Sequence, residues 1–157
     1  MVFLVGMMGA GKTSLGKTLA KQTGLPYLDT DAYFKVQTGL SISEIFKTKG
    51  EAAFREMEVE CFNSLTSKAH WVATGGGFPC FNDLMQKMKR LGTVVYLKLT
   101  PEELNNRIQS YANRPLLQTS EPLNELARIL NERKEIYEQA DFIINGNQST
   151  ENLVKEF

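Results

Sequence analysis

The chain contains few of the residues from which metal sites and disulfide frameworks are built. Its 157 residues include one histidine, His70, and two cysteines, Cys61 and Cys80. A metal site with several histidine ligands is therefore not expected. The two cysteines lie in apolar surroundings and form no CxxC pair, which indicates reduced thiols. We expect a cytoplasmic protein.

Net charge and long hydrophobic runs are absent as well. The 18 basic residues balance the 18 acidic ones, so the chain has no broad basic surface for nucleic acid. No apolar stretch approaches the length of a membrane span, and residues 1–5 are too short for a signal peptide. We expect no nucleic-acid or membrane partner. At 42% hydrophobic residues, the chain can bury one core, and we predict a single domain over residues 1–157 that acts as a monomer.

Short apolar runs alternate along the chain with stretches of helical periodicity. We predict strands at residues 2–5, 27–28, 71–74, 93–99 and 142–144. We predict helices at residues 12–23, within 31–68, and at 82–91, 101–111 and 121–140. Pro101 suits the first turn of its helix, with Thr100 as the N-cap. This alternation favours an α/β fold with a parallel sheet between two helical layers, which binds ligands at the carboxyl ends of its strands.

Residues 6–13 match the phosphate-loop pattern GxxxxGK[ST] in full, directly after the first strand and before a helix. In this context a glycine-rich turn that merely joins strand to helix is the weaker interpretation. Lys12 should reach the β- and γ-phosphates, and the Thr13 hydroxyl should bind Mg²⁺. We expect ATP as co-substrate and nucleotide contacts from Gly9, Ala10, Gly11, Lys12, Thr13 and Ser14. The loop alone does not distinguish GTPases, motors and kinases. The small size of the chain and the absence of the guanine-reading motif of GTPases favour a metabolite kinase.

Two carboxylates, Asp29 and Asp31, lie two residues apart at the end of the second strand, so strand alternation aims them the same way. They could act at the site. Alternatively, Asp31 could only be the N-cap or a first-turn acid of a helix running to Thr38, and Asp29 could be a surface carboxylate. Residues 75–77 are three consecutive glycines after the third strand. A glycine triplet suggests that a ligand lies against the backbone and uses its N–H groups, although a hinge is the alternative.

Five separated motifs resemble those of the shikimate kinase family, in the family's order and over nearly the whole chain. They are the phosphate loop, the DxD pair at 29–31, the G-E-x-x-F-R-x-x-E run at 50–58, the T-G-G-G sequence at 74–77 and the R-P-L-L sequence at 114–117. The resemblance implies the nucleoside-monophosphate-kinase type of fold, with a five-stranded parallel sheet in the order 2-3-1-4-5. It also implies a substrate-binding helical segment at about 31–62 and a lid at about 110–122.

The same resemblance implies the reaction. Members of the family transfer the γ-phosphoryl group of ATP to the 3-hydroxyl of shikimate, giving shikimate 3-phosphate and ADP in aromatic amino acid biosynthesis. Asp31 would bind and deprotonate the acceptor hydroxyl, and Asp29 would support Mg²⁺ together with Thr13. Arg114, in the lid, would contact the transferring phosphate, so Asp31, Lys12 and Arg114 are the catalytic candidates.

Substrate and adenine contacts also follow from the resemblance. Arg55 and Arg133 would bind the substrate carboxylate, with Glu58 holding Arg55 in place. Phe46 and Phe54 would wall the ring, Gly75, Gly76 and Gly77 would touch its hydroxyls, and Arg107 would stack on the adenine. One departure from many phosphate-loop proteins is Ala73, which offers no acidic residue for metal support.

Other interpretations remain open at this stage. Arg55 and Glu58 could form a surface ion pair, and Arg107, Arg114 and Arg133 could be solvated arginines near helix ends. The chain could be a gluconate or nucleoside monophosphate kinase of the same fold, or a nucleotide-binding regulator that has lost catalysis. The carboxylate-binding arginines disfavour a nucleotide acceptor, and the complete set of catalytic residues disfavours a regulator.

Overall fold

The computed structural model describes residues 1–65, 70–109 and 121–157. Its strands are β1 (Val2–Val5), β2 (Tyr27–Asp29), β3 (Trp71–Ala73), β4 (Thr93–Lys98) and β5 (Phe142–Asn145). Its helices are α1 (Lys12–Thr23), α2 (Thr30–Thr38), α3 (Ile42–Ser64), α4 (Leu84–Leu91), α5 (Pro101–Gln109), α6 (Pro122–Tyr137) and α7 (Thr150–Val154), with a 3₁₀ turn at Phe78–Cys80. All five predicted strands are confirmed within one or two residues.

The strands form one parallel sheet in the order β2-β3-β1-β4-β5, with helices on both faces, as predicted. Leu4 of β1 pairs with Ala73 of β3, which pairs in turn with Asp29 of β2. Since parallel strands end at the same edge, the segments that follow β1, β2 and β3 meet there. This register brings the phosphate loop, the Asp29–Asp31 pair and the glycine triplet together.

The centre of the sheet is the core of the molecule. Phe3, Leu4 and Val5 of β1 are completely buried, which explains why this strand is a continuous apolar run rather than an alternating one. β5 lies at the edge, and its Phe142 is 61% exposed. No helix in the described ranges is both long enough and apolar enough to cross a membrane.

The N-cap prediction for α5 is confirmed. The amide of Glu103 donates to the Thr100 hydroxyl at 3.2 Å, and the amide of Thr100 donates to the Glu103 carboxylate at 2.8 Å. This reciprocal pair satisfies two backbone donors that the first turn of a helix leaves unpaired. The short helix α7 was not predicted, although Ser149 caps it by accepting from the amide of Asn152 at 3.3 Å.

The segment between β2 and β3 is helical as predicted, and its first helix ends at Thr38 as expected. It forms two helices, because Gly39 ends α2 in the left-handed conformation and Ser41 caps α3 in a capping box with Glu44. Gly50 then interrupts α3 with φ 81° and ψ 167°, a combination open almost only to glycine. The apolar periodicity continues on both sides of Gly50, so the pattern alone does not reveal the break. Phe54, Arg55 and Glu58 lie in the turns that follow this break.

We predict that Gly50→Ala destabilises the fold by about 1–3 kcal/mol, because only glycine adopts this backbone conformation without strain. A matched control is Gly39→Asn, since Gly39 has φ 71° and ψ 0°, which asparagine tolerates. A Cβ would meet nothing within 4 Å at either position, so a steric clash contributes to neither variant and the comparison tests backbone strain. Urea denaturation of both proteins measures the difference, and equal losses would refute the strain at Gly50.

Candidate active site

The phosphate loop wraps around the side chain of its own lysine. Gly9 and Gly11 take φ values of 80° and 95°, which curl the backbone ahead of α1. The Nζ of Lys12 donates to the carbonyls of Gly6 at 2.7 Å and Met7 at 2.8 Å, and the residue is only 8% exposed. A buried ammonium requires such partners. The loop therefore holds a positive charge at the mouth of the helix, where phosphate oxygens bind best.

Asp29 joins the phosphate loop to helix α2. Its Oδ2 accepts from the hydroxyl of Thr13 at 2.8 Å, while its Oδ1 accepts from the amides of Asp31 and Ala32 at 3.1 Å each. Asp29 is therefore the N-cap of α2. Asp31 is not the cap but an acidic residue of the first turn, which is the other position that the alternative allowed. The reason is geometric, because a cap has extended backbone angles, as Asp29 does, whereas Asp31 already lies in the first helical turn.

The hydroxyl of Thr13 and the carboxylate of Asp29 are hard oxygen ligands of the kind that Mg²⁺ prefers. The described residues contain no group of three or more His, Cys, Asp or Glu side chains that could hold a metal ion. Magnesium in nucleotide sites is commonly held by one or two protein oxygens, with phosphate oxygens and water completing the shell. The pair at Thr13 and Asp29 fits that pattern.

Tyr27 supports this pair and was missed by the sequence analysis. Its hydroxyl donates to Oδ2 of Asp29 at 3.2 Å, and burial raises the pKa of this phenol, so it remains a donor. The Tyr27 ring packs against Gly16 of α1, where a Cβ would lie 2.6 Å from the ring carbon Cε2. The absence of a side chain at Gly16 lets the ring reach the carboxylate. This contact depends on two elements, so the sequence of neither one reveals it.

The glycine triplet is crowded by three charged side chains. A Cβ would lie 2.5 Å from the Oδ1 of Asp31 at Gly75, 3.2 Å from a guanidinium nitrogen of Arg133 at Gly76, and 2.8 Å from a guanidinium nitrogen of Arg55 at Gly77. None of the three glycines has a positive φ. Glycine is required here by close approach rather than by backbone conformation. Three predicted substrate residues, from three different helices, thus converge on one short stretch of backbone.

Buried hydroxyl groups fix the triplet in place. The amide of Gly75 donates to the Thr30 hydroxyl at 2.8 Å, and the Tyr137 hydroxyl donates to the Gly76 carbonyl at 2.6 Å. Thr30 and Tyr137 are completely buried. The amides of Gly76 and Gly77 have no acceptor among the described residues. A polar ligand at this surface would therefore find two N–H donors that the fold already holds in position.

Arg55 is fixed on three sides. It donates to Glu58 at 2.8 Å and to Glu51 at 2.8 and 3.2 Å, and its guanidinium carbon lies 3.8 Å from the centre of the Phe81 ring. The interpretation of Arg55 and Glu58 as a surface pair is wrong, because their side chains are only 12% and 2% exposed. Phe81 was also missed, since it follows an unpredicted 3₁₀ turn.

The two predicted ring-walling residues lie beside Arg55. The rings of Phe46 and Phe54 are 4.9 Å apart, and the Arg55 guanidinium lies 5.7 and 5.5 Å from their centres. Phe54 also packs edge-on against the buried ring of Phe34. An apolar wall therefore adjoins the arginine, as a carboxylate on a carbon ring would require.

Burial and charge shape the ionisation of the groups around Arg55. Burial raises the pKa of the Glu58 carboxyl, and the hydrogen bond from Arg55 opposes this shift without cancelling it. Burial also raises the pKa of the Cys80 thiol to about 11, against the opposing charges of Arg133 and Arg55. Cys80 is therefore protonated near neutral pH and is not a nucleophile.

Arg107 bridges the phosphate loop to the segment after β5. It donates to the Ala10 carbonyl at 3.1 Å and to the Gly146 carbonyl at 2.7 Å. The guanidinium is thus half-buried and held by the backbone rather than solvated. Ser14 lies exposed in the first turn of α1. Arg114 and residues 110–120 of the predicted lid lie outside the described residues.

The comparisons with known proteins all point to one family. The sequence model of the family described as shikimate kinase matches residues 8–157. The shikimate kinase of Thermodesulfovibrio yellowstonii is 37% identical over 162 aligned positions, which cover 99% of this chain and 94% of that protein. A solved structure of shikimate kinase from Acinetobacter baumannii in complex with shikimate has a TM-score of 0.91 at 39% identity, covering 99% of this chain and 88% of that one.

A more distant likeness concerns the fold alone. A gluconokinase from Sinorhizobium meliloti reaches a TM-score of 0.56 at 18% identity, over 99% of this chain and 87% of that one. This likeness shows a shared fold and nothing about the substrate.

The raised pKa of Glu58 predicts a pH-dependent stability. The folded state binds this proton more tightly than the unfolded state, so the contribution of Glu58 is fully present below its unfolded pKa and is lost as pH rises through the folded one. Glu58→Gln removes the titration and keeps an oxygen that can accept from Arg55. The unfolding free energies of both proteins are measured in urea from about pH 4 to neutrality. The value for the variant minus the value for the wild type should increase as the pH rises.

Glu44→Gln provides the opposite control. Hydrogen bonds from Ser41 lower the pKa of Glu44, so its contribution is present above the unfolded pKa and is lost as pH falls. The Glu44→Gln protein should therefore lose stability relative to the wild type as pH rises. A slope of the same sign in both variants would contradict the assignment at Glu58.

Proposed function

The chain belongs to the shikimate kinase family and is an ATP-dependent kinase that phosphorylates shikimate, and we propose that the residues around the glycine triplet and the phosphate loop carry out this reaction. The acceptor is the 3-hydroxyl of shikimate, and the products are shikimate 3-phosphate and ADP. The observation that supports these roles best is the convergence of Asp31, Arg133 and Arg55 on Gly75, Gly76 and Gly77. A base candidate and two carboxylate-binding cations thus share one surface.

Arg55 and Arg133 bind the carboxylate of the substrate. Each guanidinium is a planar set of donors that can meet a carboxylate through parallel hydrogen bonds. The side chains of Glu51 and Glu58 and the ring of Phe81 hold Arg55 in one orientation before the substrate arrives, which lowers the entropy lost on binding. Phe46 and Phe54 line the apolar side of the ring, and the amides of Gly76 and Gly77 donate to its hydroxyls.

Asp31 orients the acceptor hydroxyl and accepts its proton as the new phosphate ester bond forms. Its carboxylate lies against Gly75, on the same edge of the sheet as the phosphate loop. The transition state of phosphoryl transfer is loose, so a carboxylate that accepts the proton late is a sufficient base. The acceptor oxygen attacks the γ-phosphorus while the bond to the ADP oxygen breaks in line.

Lys12 and the loop amides bind the phosphates of ATP. On binding, the ammonium exchanges or shares its present acceptors, the Gly6 and Met7 carbonyls, with β- and γ-phosphate oxygens. Arg107 borders the adenine between the phosphate loop and the segment after β5. Arg114 is proposed to add positive charge at the transferring phosphate when the lid at 110–122 closes.

We assign Thr13 and Asp29 to Mg²⁺. When bound, Mg²⁺ neutralises charge that develops on the β- and γ-phosphate oxygens. Asp29 caps α2 and accepts from Thr13 and Tyr27, so its carboxylate is held where a hydrated cation can reach it. Position 73 is alanine and offers no carboxylate, so the protein ligands of Mg²⁺ in this proposal are Thr13 and Asp29.

Asp31→Asn should lower turnover by about 10²–10⁴-fold, because the amide keeps the shape but cannot accept the proton. Nucleotide affinity and thermal stability should stay near those of the wild type, since Asp29 and not Asp31 caps α2. Initial rates with ATP and shikimate, calorimetric titration with ADP and thermal unfolding measure the three properties.

Asp141→Asn is the matched control for this substitution. Asp141 lies at the amino end of β5, where it accepts from the amide of Val94 and pairs with Lys89. The same chemical change there should leave turnover unaltered. Near-normal turnover of the Asp31→Asn protein would end the catalytic assignment of Asp31.

Substrate choice provides a second test. With ATP in a coupled assay, shikimate should be phosphorylated, whereas gluconate, nucleoside monophosphates and a shikimate analogue lacking the carboxylate should not.

Arg133→Lys should raise the KM for shikimate by about tenfold or more and leave that for ATP little changed, because a point charge cannot replace the planar fork. Arg128→Lys on the same helix is the control, since Arg128 is itself exposed and pairs only with Glu125 and Glu132 among the described residues. Equal losses for both ligands in the Arg133 variant would assign Arg133 to the fold or to the nucleotide.

A further inference from the structure

Tyr137 ends α6 with a buried hydroxyl that the mechanism above does not use. The residue is completely buried, and its hydroxyl donates to the Gly76 carbonyl at 2.6 Å, across 61 positions of sequence. The sulfur of Met7, in the phosphate loop, lies 3.7 Å from the same oxygen. One hydroxyl therefore contacts both the glycine triplet and the nucleotide loop.

Arg133 lies one helical turn before Tyr137 and approaches the same glycine, Gly76. Its guanidinium acts on the Tyr137 phenol through charge and a side-chain hydrogen bond. Its Nη1 also lies 3.2 Å from the point where a Cβ of Gly76 would stand. Gly76, Arg133 and Tyr137 thus form a closed triangle, in which the phenol touches the other two members.

The Tyr137 hydroxyl is suited to a fixed structural contact. Burial raises the pKa of this phenol, and the charge of Arg133 only partly opposes that shift, so the group remains a neutral donor. Its ring packs against the ring of Tyr96 at a centroid distance of 5.1 Å, which leaves the hydroxyl little freedom to move. Loss of a buried donor leaves its acceptor unsatisfied, and such losses are costly.

We propose that Tyr137 is a positioning residue of the substrate subsite, whose hydroxyl fixes the Gly76 backbone relative to the Arg133 guanidinium. Substrate hydroxyls and the substrate carboxylate are bound by these two groups at once, so their spacing must match the ligand. The proposal deepens the proposed function and rests on it, because it assumes that the triplet and Arg133 bind one molecule.

Tyr137→Phe removes only the hydroxyl and tests the proposal. The KM for shikimate should rise about tenfold, which corresponds to the loss of one buried hydrogen bond. The fall in kcat should be smaller. The KM for ATP should change less than twofold, because the carbonyl and the guanidinium lie on the acceptor side and the thioether of Met7 is only a weak acceptor. A merely structural role would lower the melting temperature without this separation between the two substrates.

Tyr96→Phe is the matched control, since this neighbouring ring is equally buried and loses the same atom, but no hydrogen bond from its hydroxyl to Gly76 or Arg133 is present. Its KM for shikimate should stay at the wild-type value. A double-mutant cycle adds a direct measure of coupling. In the Arg133→Lys background, the further effect of Tyr137→Phe on shikimate should be clearly smaller than in the wild type.

An unchanged KM for shikimate in folded Tyr137→Phe protein, or fully additive effects with Arg133→Lys, would overturn the proposal. If Tyr137→Phe does not fold, Gly76→Ala tests the same triangle from its other side, since the added methyl presses on Arg133 and leaves the hydroxyl in place. That variant should raise the KM for shikimate, and a normal value would likewise refute the proposal. Failure of the proposed function would look different, because the wild-type protein itself would then not phosphorylate shikimate.

Discussion

The close approach of three charged side chains to a backbone without side chains is the constraint on which the site depends. Asp31, Arg133 and Arg55 can share a surface only because residues 75–77 carry no Cβ. Opposite charges placed this closely attract one another, and a polar ligand then binds between groups that are already near their final positions. The sheet order brings the segments that follow β1, β2 and β3 to one edge, where α2, α3 and α6 place these three side chains.

Buried polar contacts keep this surface in place. Thr30 and Tyr137 bind the amide of Gly75 and the carbonyl of Gly76 from opposite sides, and Glu58 fixes Arg55 from beneath. Each of these groups is at most 2% exposed. Polar groups at such depth are stable only when they are paired, so each one stabilises a single arrangement. Burial raises the pKa of Glu58, so its ionised form is held at a cost in stability that the hydrogen bond from Arg55 offsets only in part.

Much of the fold and part of the site could be predicted from the sequence, for identifiable reasons. The phosphate loop and the strand boundaries are local patterns, and the roles of Asp31, Arg55 and Arg133 were inferred from motif resemblance and remain proposals. Thr30, Tyr137 and Phe81 escaped because their partners lie far away in sequence. Thr30, for example, is 45 positions from Gly75. The break at Gly50 was not predicted because helical periodicity is maintained across it. The close approach at the glycine triplet was predicted for a ligand only, since its crowding by protein side chains cannot be seen in a sequence.

The two oxygens of the Asp29 carboxylate face different parts of the molecule. One accepts from Thr13 at the nucleotide loop, and the other accepts from the first amides of the helix that carries Asp31. A rigid carboxylate cannot turn toward one side without changing its geometry toward the other. A shift of Asp29 at Thr13 would therefore displace its other oxygen relative to the first amides of α2, which lie 3.1 Å away. In the mechanism proposed above, this one carboxylate would couple the arrival of the phosphate donor to the position of Asp31.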